Sequence, residues 1–164
     1  SATPKTTFSF SGGFTWKKLS VSAMFQGVGG AQALYVGKYM ALRDVEGNFN
    51  RSKEIMNAWS PSNTGSNIPR LSKNDPNSNF STPSDWYLEN ASYLRLKNLE
   101  FGYTFRQPGL AKMGVSSVRV YFAGSNLLTF TSLKNWDPEK TSGDARNDVH
   151  PNMRTYSFGL NIQF

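Results

Sequence analysis

The chain has 164 residues, a formal net charge of +7, no cysteine, 12 Phe, 7 Tyr and 4 Trp, and a mean hydropathy of −0.49. Without cysteine it has neither disulfides nor thiolate metal sites, and no run approaches the roughly 18 apolar residues of a membrane helix. The positive charge does not point to nucleic acid: the longest basic run is Lys17-Lys18, and the remaining Lys and Arg are scattered as on a solvated surface.

The first residues, Ser1-Ala-Thr-Pro-Lys, form a short polar lead without a start Met, signal peptide or lipid-attachment Cys. The chain is therefore expected to be the C-terminal piece of something longer. A first strand, about 7–16, puts Phe8, Phe10, Phe14 and Trp16 on one parity with Gly12, and Ser9, Ser11, Gly13 and Thr15 on the other. After Lys17-Lys18, a second strand, about 19–27, sets Leu19, Val21, Ala23 and Phe25 against Ser20, Ser22, Met24 and Gln26. Strict period two is the mark of a strand with one apolar and one polar face.

A long connection follows, from about Val28 to Ala91. Its first half predicts a helix over Arg51–Trp59, capped by Asn50, with Ile55, Met56 and Trp59 on one face. Its second half is turn-rich. There Asp75, Asn77 and Asn79 fall at calcium-loop offsets, but Phe80 and Trp86 stand where that loop needs Gly and Glu, so turn chemistry is the better reading.

The third strand, about 93–105, opposes Leu99, Phe101, Tyr103 and Phe105 to Asn98, Glu100, Gly102 and Thr104. A short connection with Pro108-Gly109 leads to the fourth, about 116–126, where Val118, Val120 and Phe122 oppose Arg119, Tyr121 and Ala123. A second long connection, about Leu128 to Arg154, holds Asp137 and Glu139 around Pro138, and the single histidine, His150. Two carboxylates two residues apart on an irregular loop have no defined separation for acid–base work, and one histidine makes neither a zinc site nor a triad. No catalytic residue, metal or cofactor is expected, and the chain does not read as an enzyme.

The fifth strand, about 154–164, is the cleanest: Tyr156, Phe158, Leu160, Ile162 and Phe164 alternate without a miss against Ser157, Gly159, Asn161 and Gln163. A transmembrane barrel strand needs about 10 residues of this pattern, with aromatic girdles at the lipid boundary. The expected orientation puts Tyr156, Phe158, Leu160, Ile162 and Phe164 toward lipid, with Asn98, Glu100, Arg119 and Asn161 toward the lumen. Connection lengths alternate short, long, short, long, as periplasmic turns and extracellular loops do in outer-membrane barrels. That parity puts the C-terminus on the periplasmic side. Five strands close no barrel, since the smallest single-chain ones use about eight. The missing wall is expected from the rest of the same polypeptide or from other chains.

Several phrases carry a family resemblance. Trp59-Ser-Pro, Ile68-Pro-Arg, the run from Ser84 through Tyr93-Leu-Arg-Leu-Lys-Asn-Leu-Glu-Phe-Gly-Tyr103 to Phe105, Val118 to Phe130, and Trp136-Asp-Pro-Glu139 resemble the C-terminal end of SusC/RagA-type TonB-dependent transporters of Bacteroidetes outer membranes. Phe25-Gln-Gly-Val-Gly-Gly30 resembles the family's phrase on an earlier strand. The resemblance implies an all-β fold: the last five antiparallel strands of a large, plugged barrel of about 22 strands with long extracellular loops. It implies TonB-driven import of oligosaccharides or peptides, a SusD-like lipoprotein as lid, and Phe164 as part of an assembly signal. The TonB complex would engage an N-terminal region outside this chain. Trp59, Arg70, Trp86 and Trp136 are the loop residues expected to meet ligand or partner, against the plainer reading of a self-packed loop. Two alternatives stand beside this one: a secreted carbohydrate-binding β-sandwich, and a passive porin or adhesin barrel.

Overall fold

Residues 3–34, 53–72, 75–78, 82, 84–133, 137–140 and 150–164 are described by the computed structural model. Where bulky apolar and small polar residues alternate, the backbone is extended and each strand pairs with a neighbour of the same pattern. The elements are β1 (Thr6–Trp16), β2 (Leu19–Gly29), β3 (Gln32–Leu34), β4 (Leu88–Asn90), β5 (Tyr93–Phe105), β6 (Ser117–Thr131) and β7 (Thr155–Gln163). Five form one antiparallel sheet in the order β1-β2-β5-β6-β7, and β3 pairs with β4 alone.

The register aligns like with like. Trp16, Leu19, Tyr103, Val120 and Leu160 make one cross-strand row, and Phe14, Val21, Phe101, Phe122 and Phe158 the next on the same face. Ring pairs knit this face together: Phe10 stacks on Phe25 at 4.9 Å, Phe122 meets Phe158 at 5.3 Å, and Tyr103 meets Phe105 at 4.7 Å. Among the described residues no second sheet covers these rings, and Phe158 is 82% exposed. A sandwich would bury such a face, because two packed sheets interdigitate their apolar sides.

The opposite face is polar and low. Gly102 and Gly159 sit there beneath long side chains: a Cβ on Gly102 would stand 2.5 Å from the Arg119 guanidinium, and one on Gly159 would collide with the Tyr121 ring. Glycine at these two positions lets Arg119 and Tyr121 lie along the neighbouring strand.

The ends differ. β1 and β2 join through Lys17-Lys18, with Lys17 at φ 56°, and β5 and β6 through one helical turn, Pro108–Ala111, then Gly114 at φ 75°. At the other end the strands run on further than their alternation indicated. β6 continues past Asn126 to Thr131, and β3 and β4 prolong β2 and β5 beyond Gly30 and Ala91. A small cluster of Ala31, Ala33 and Ala91 against Val28 packs this junction.

Two bulges lie at one level. Lys97 is an extra residue on β5 between Leu96, opposite Phe25, and Asn98, opposite Met24. Against it β6 carries both Asn126, at φ 55°, and Leu127. One extra residue inverts the parity of β5, so that above it Leu94 and Leu96 join the apolar face while Tyr93 and Arg95 turn to the polar one. The helix expected over Arg51–Trp59 is a 3-10 turn, Lys53–Asn57; Asn50, Arg51 and Ser52 lie outside the described residues.

Filling the Gly159 site should strain the wall. In the full-length protein Gly159→Val is expected to cost about 1–3 kcal/mol, as overpacking does. A lowered unfolding midpoint on heat-modified electrophoresis tests it, with Ser157→Val on the same strand as the control that stays near wild type.

Candidate functional site

The inverted parity of β5 brings Tyr93, Arg95 and, at the bulge, Lys97 to the loop end of the polar face. Facing them is Asp137-Pro138-Glu139. Pro138 starts a 3-10 turn, Pro138–Lys140, and the Lys140 amide donates to the Asp137 carbonyl at 2.9 Å. The Asp137 carboxylate in turn accepts the Glu139 amide at 3.0 Å, a local turn bond typical of Asp. Both carboxylates thus project toward β5.

Arg95 holds them as a fork. Its Nη2 donates to Asp137 Oδ1 at 2.6 Å and its Nη1 to Glu139 Oε2 at 3.1 Å. Lys97 Nζ reaches Glu139 Oε2 at 2.8 Å, and the Tyr93 hydroxyl donates to Glu139 Oε1 at 3.1 Å. Asn152 closes the other side, its amide N–H on Asp137 Oδ2 at 2.7 Å and its side chain on Glu139. Arg95 is 3% and Asp137 5% exposed. Burial pushes the Asp137 carboxyl up, but donation from Arg95 and from the Glu139 and Asn152 amides outweighs it and holds the group below its ordinary 3.8. A carboxylate saturated with donors is a fastening, not a general base. The arrangement pins the second long connection to the wall.

Lower on the same face, Arg119 Nη2 pairs with Glu100 Oε1 at 2.6 Å and with Ser20 Oγ at 3.1 Å, its guanidinium 5.3 Å from the Tyr121 ring centroid. Asn98 Oδ1 accepts from Ser125 Oγ at 3.2 Å. Asn161 stands opposite Arg119 in register and is exposed.

The remaining expected site residues are distributed as follows. Tyr156, Phe158, Leu160 and Ile162 share the exposed aromatic face, and Phe164, just past β7, is 86% exposed. Trp59 is 36% exposed, its amide bonded to the Ile68 carbonyl at 2.9 Å, and Arg70 is exposed nearby. Trp86 packs against Ile68 with Ile55, Ala58 and Leu71, edge-on to Tyr87 at 4.9 Å, so it serves the interior of the loop. Trp136 lies outside the described residues. Asp75 and Ser78 close a turn, with Ser78 N donating to Asp75 O at 2.9 Å; Asn79 lies outside the described residues. Among the described residues no three His, Asp or Glu gather to hold a metal.

The residues that sequence reasoning passed over are Tyr93, Arg95, Lys97 and Asn152. A signal existed in the alternation Tyr93, Arg95, Lys97 within an otherwise apolar strand start, three polar side chains that need partners if buried.

No family model matches the chain. It is 34% identical over 173 aligned residues to TonB-dependent receptor P3 of Formosa agariphila, covering 99% of this chain and 16% of that receptor. TonB-dependent receptor SusC of Bacteroides thetaiotaomicron is 36% identical over 83 residues, 49% of this chain and 8% of SusC. The solved RagAB peptide transporter superposes with a TM-score of 0.83 and 34% identity, over 100% of this chain and 18% of the matched one. The chain thus spans less than a fifth of the relatives it matches.

Removing Arg95 takes a donor from both carboxylates and leaves the buried Asp137 without its cationic partner. Arg95→Met in the full-length protein is expected to loosen the second long connection by about 3–5 kcal/mol, the usual cost of breaking a buried pair, read as faster proteolysis between Lys134 and Asn152. Because the Asp137 value is depressed, its contribution is complete at neutral pH and is lost only as pH falls through that depressed value, below 3.8. Protection of the Glu139 and Asn152 amides, taken relative to their intrinsic exchange at each pH, should therefore hold at neutral and mildly acidic pH and fall once Asp137 is protonated below 3.8.

Proposed function

The chain is a barrel-wall segment of the SusC/RagA type of TonB-dependent receptor, and from that premise we propose that its parent protein imports oligosaccharides or peptides across the outer membrane. TonB drives the cycle through a region outside this chain, and a SusD-like lipoprotein covers the extracellular mouth. The observation that carries the reading is the five-stranded sheet itself, apolar and uncovered on one face and polar on the other, in a chain alike over its whole length to such receptors. The work of the segment is to be wall and to carry loops.

In this reading the aromatic face meets lipid. Tyr156, Phe158, Leu160, Ile162 and Phe164 lie in hydrocarbon or at its edge, and Phe101, Tyr103, Val120 and Phe122 continue the belt. Asn98, Glu100, Arg119 and Asn161 face the lumen and the plug. The turns at Lys17 and Pro108, and the C-terminus, are periplasmic. Trp59 and Arg70, exposed on the first long connection, are the side chains proposed to touch lid or cargo. The RagAB neighbour is a peptide transporter, which favours peptides as cargo over oligosaccharides.

The orientation is tested by charge. Leu160→Arg should cost about 2–4 kcal/mol if the residue lies near the midplane, with reduced outer-membrane abundance, whereas Asn161→Arg should be tolerated. Equal tolerance of both would overturn the lipid-facing assignment. Protease added to intact cells should cut between Lys53 and Ser72 before it reaches Lys17 or Arg106; the reverse order inverts the topology. Transport itself is tested by uptake of labelled peptides and oligosaccharides in a gene-deletion strain. Uptake that persists at wild-type rate for both classes overturns it.

A further inference from the structure

Cations at the two ends of the sheet are treated differently. At the loop end Arg95 and Lys97 are neutralised by Asp137 and Glu139. At the turn end stand Lys17 and Lys18 between β1 and β2, and Arg106 and Lys112 between β5 and β6, all four exposed. Among the described residues no ion pair involves any of the four, and no Asp or Glu lies in either connection.

Lys17, Lys18 and Arg106 are neighbours in the fold, and Lys112 follows in the same connection as Arg106. The Thr104 amide donates to the Lys18 carbonyl at 2.8 Å, which sets the Lys17-Lys18 turn beside the start of the second connection at Arg106. They are also tied to the apolar side. Lys17 Nζ lies 5.0 Å from the Trp16 ring centroid, and Trp16 belongs to the row containing Leu19 and Tyr103. Moving outward along β1 and β2, one crosses aliphatic and aromatic surface, then the row of Trp16 and Tyr103, then the cations of the turns. That sequence of surfaces matches the acyl chain, interface and phosphate of an acidic lipid.

We infer that the short-turn rim is a binding site for an anionic phospholipid of the phosphatidylglycerol class. Lys17, Lys18, Arg106 and Lys112 hold the headgroup phosphate, and Trp16 and Tyr103 seat the upper acyl chain. A soluble anion would use the charge and ignore the rings; a lipid uses both. The site rests on the membrane reading above, and the two fail differently.

The experiment uses the full-length protein in nanodiscs of mixed phosphatidylglycerol and phosphatidylethanolamine, with bound lipid counted by native mass spectrometry. Wild type should be enriched in phosphatidylglycerol over the bulk ratio, less so at high salt. The K17Q/K18Q/R106Q/K112Q variant should lose about tenfold or more of that selectivity, since the attraction of a basic cluster for an anionic lipid surface goes with its cations. The charge-keeping K17R/K18R/R106K/K112R variant should retain it. Should the quadruple Gln variant assemble poorly, K17Q/K18Q and R106Q/K112Q are compared separately, each with a partial loss expected. Equal enrichment in wild type and Gln variants overturns the site while leaving the wall intact. A wild-type protein that stays in the aqueous phase without detergent overturns the membrane reading, and the site with it.

Discussion

A backbone amide or carbonyl left unpaired in hydrocarbon costs several kcal/mol, so every strand of a membrane wall must find a partner on both sides. Among the described residues β2, β5 and β6 have both, whereas β1 and β7 each have one. The two free edges are the strongest demand the structure makes on whatever surrounds it. Side-chain alternation follows from the same demand, because a paired, extended backbone leaves only two directions for a side chain. The rows Trp16–Leu160 and Phe14–Phe158 fill one direction with rings, and glycine, serine, Glu100 and Arg119 fill the other.

Within that frame the bulge level at Lys97 divides the sheet into two parts with different tasks. Below it, parity is regular and the polar face is shallow, because Gly102 and Gly159 let Arg119 and Tyr121 recline. Above it, the shifted parity turns Tyr93 and Arg95 toward the loop-bearing end, where Asp137 and Glu139 meet them. A wall without the extra residue would send Arg95 to the aromatic face. The bulge is thus what converts a plain wall strand into an anchoring post, which fits the wider tendency of bulges to re-aim side chains.

Much of this was legible in the residues. β1, β2, β7 and the lower halves of β5 and β6 follow unbroken alternation, and the resemblance carried by Tyr93 to Tyr103 agreed with it. The upper part of β6 was not legible, because Asn126 and Leu127 interrupt the period before Leu128 and Phe130 resume it. β3 and β4 are three residues each, too short to show a period. The Asp137–Glu139 pair has no fixed separation in the sequence; its partner Arg95 lies far away on a strand, and only the fold joins them. Trp86 shows the opposite limit. An aromatic in a turn-rich loop looks like a contact for something else, yet this one fills the space around Ile68.

The Arg95 fastening also sets how the segment bears load. A tug on the second long connection reaches Asp137 and Glu139, crosses to Arg95, and enters β5, the central strand, which is laddered to β2 on one side and β6 on the other. Directed along the strands, such a force shears both ladders at once, so many rungs must yield together. The same force at an edge strand would peel them singly. The loop is moored where the sheet is mechanically stiffest.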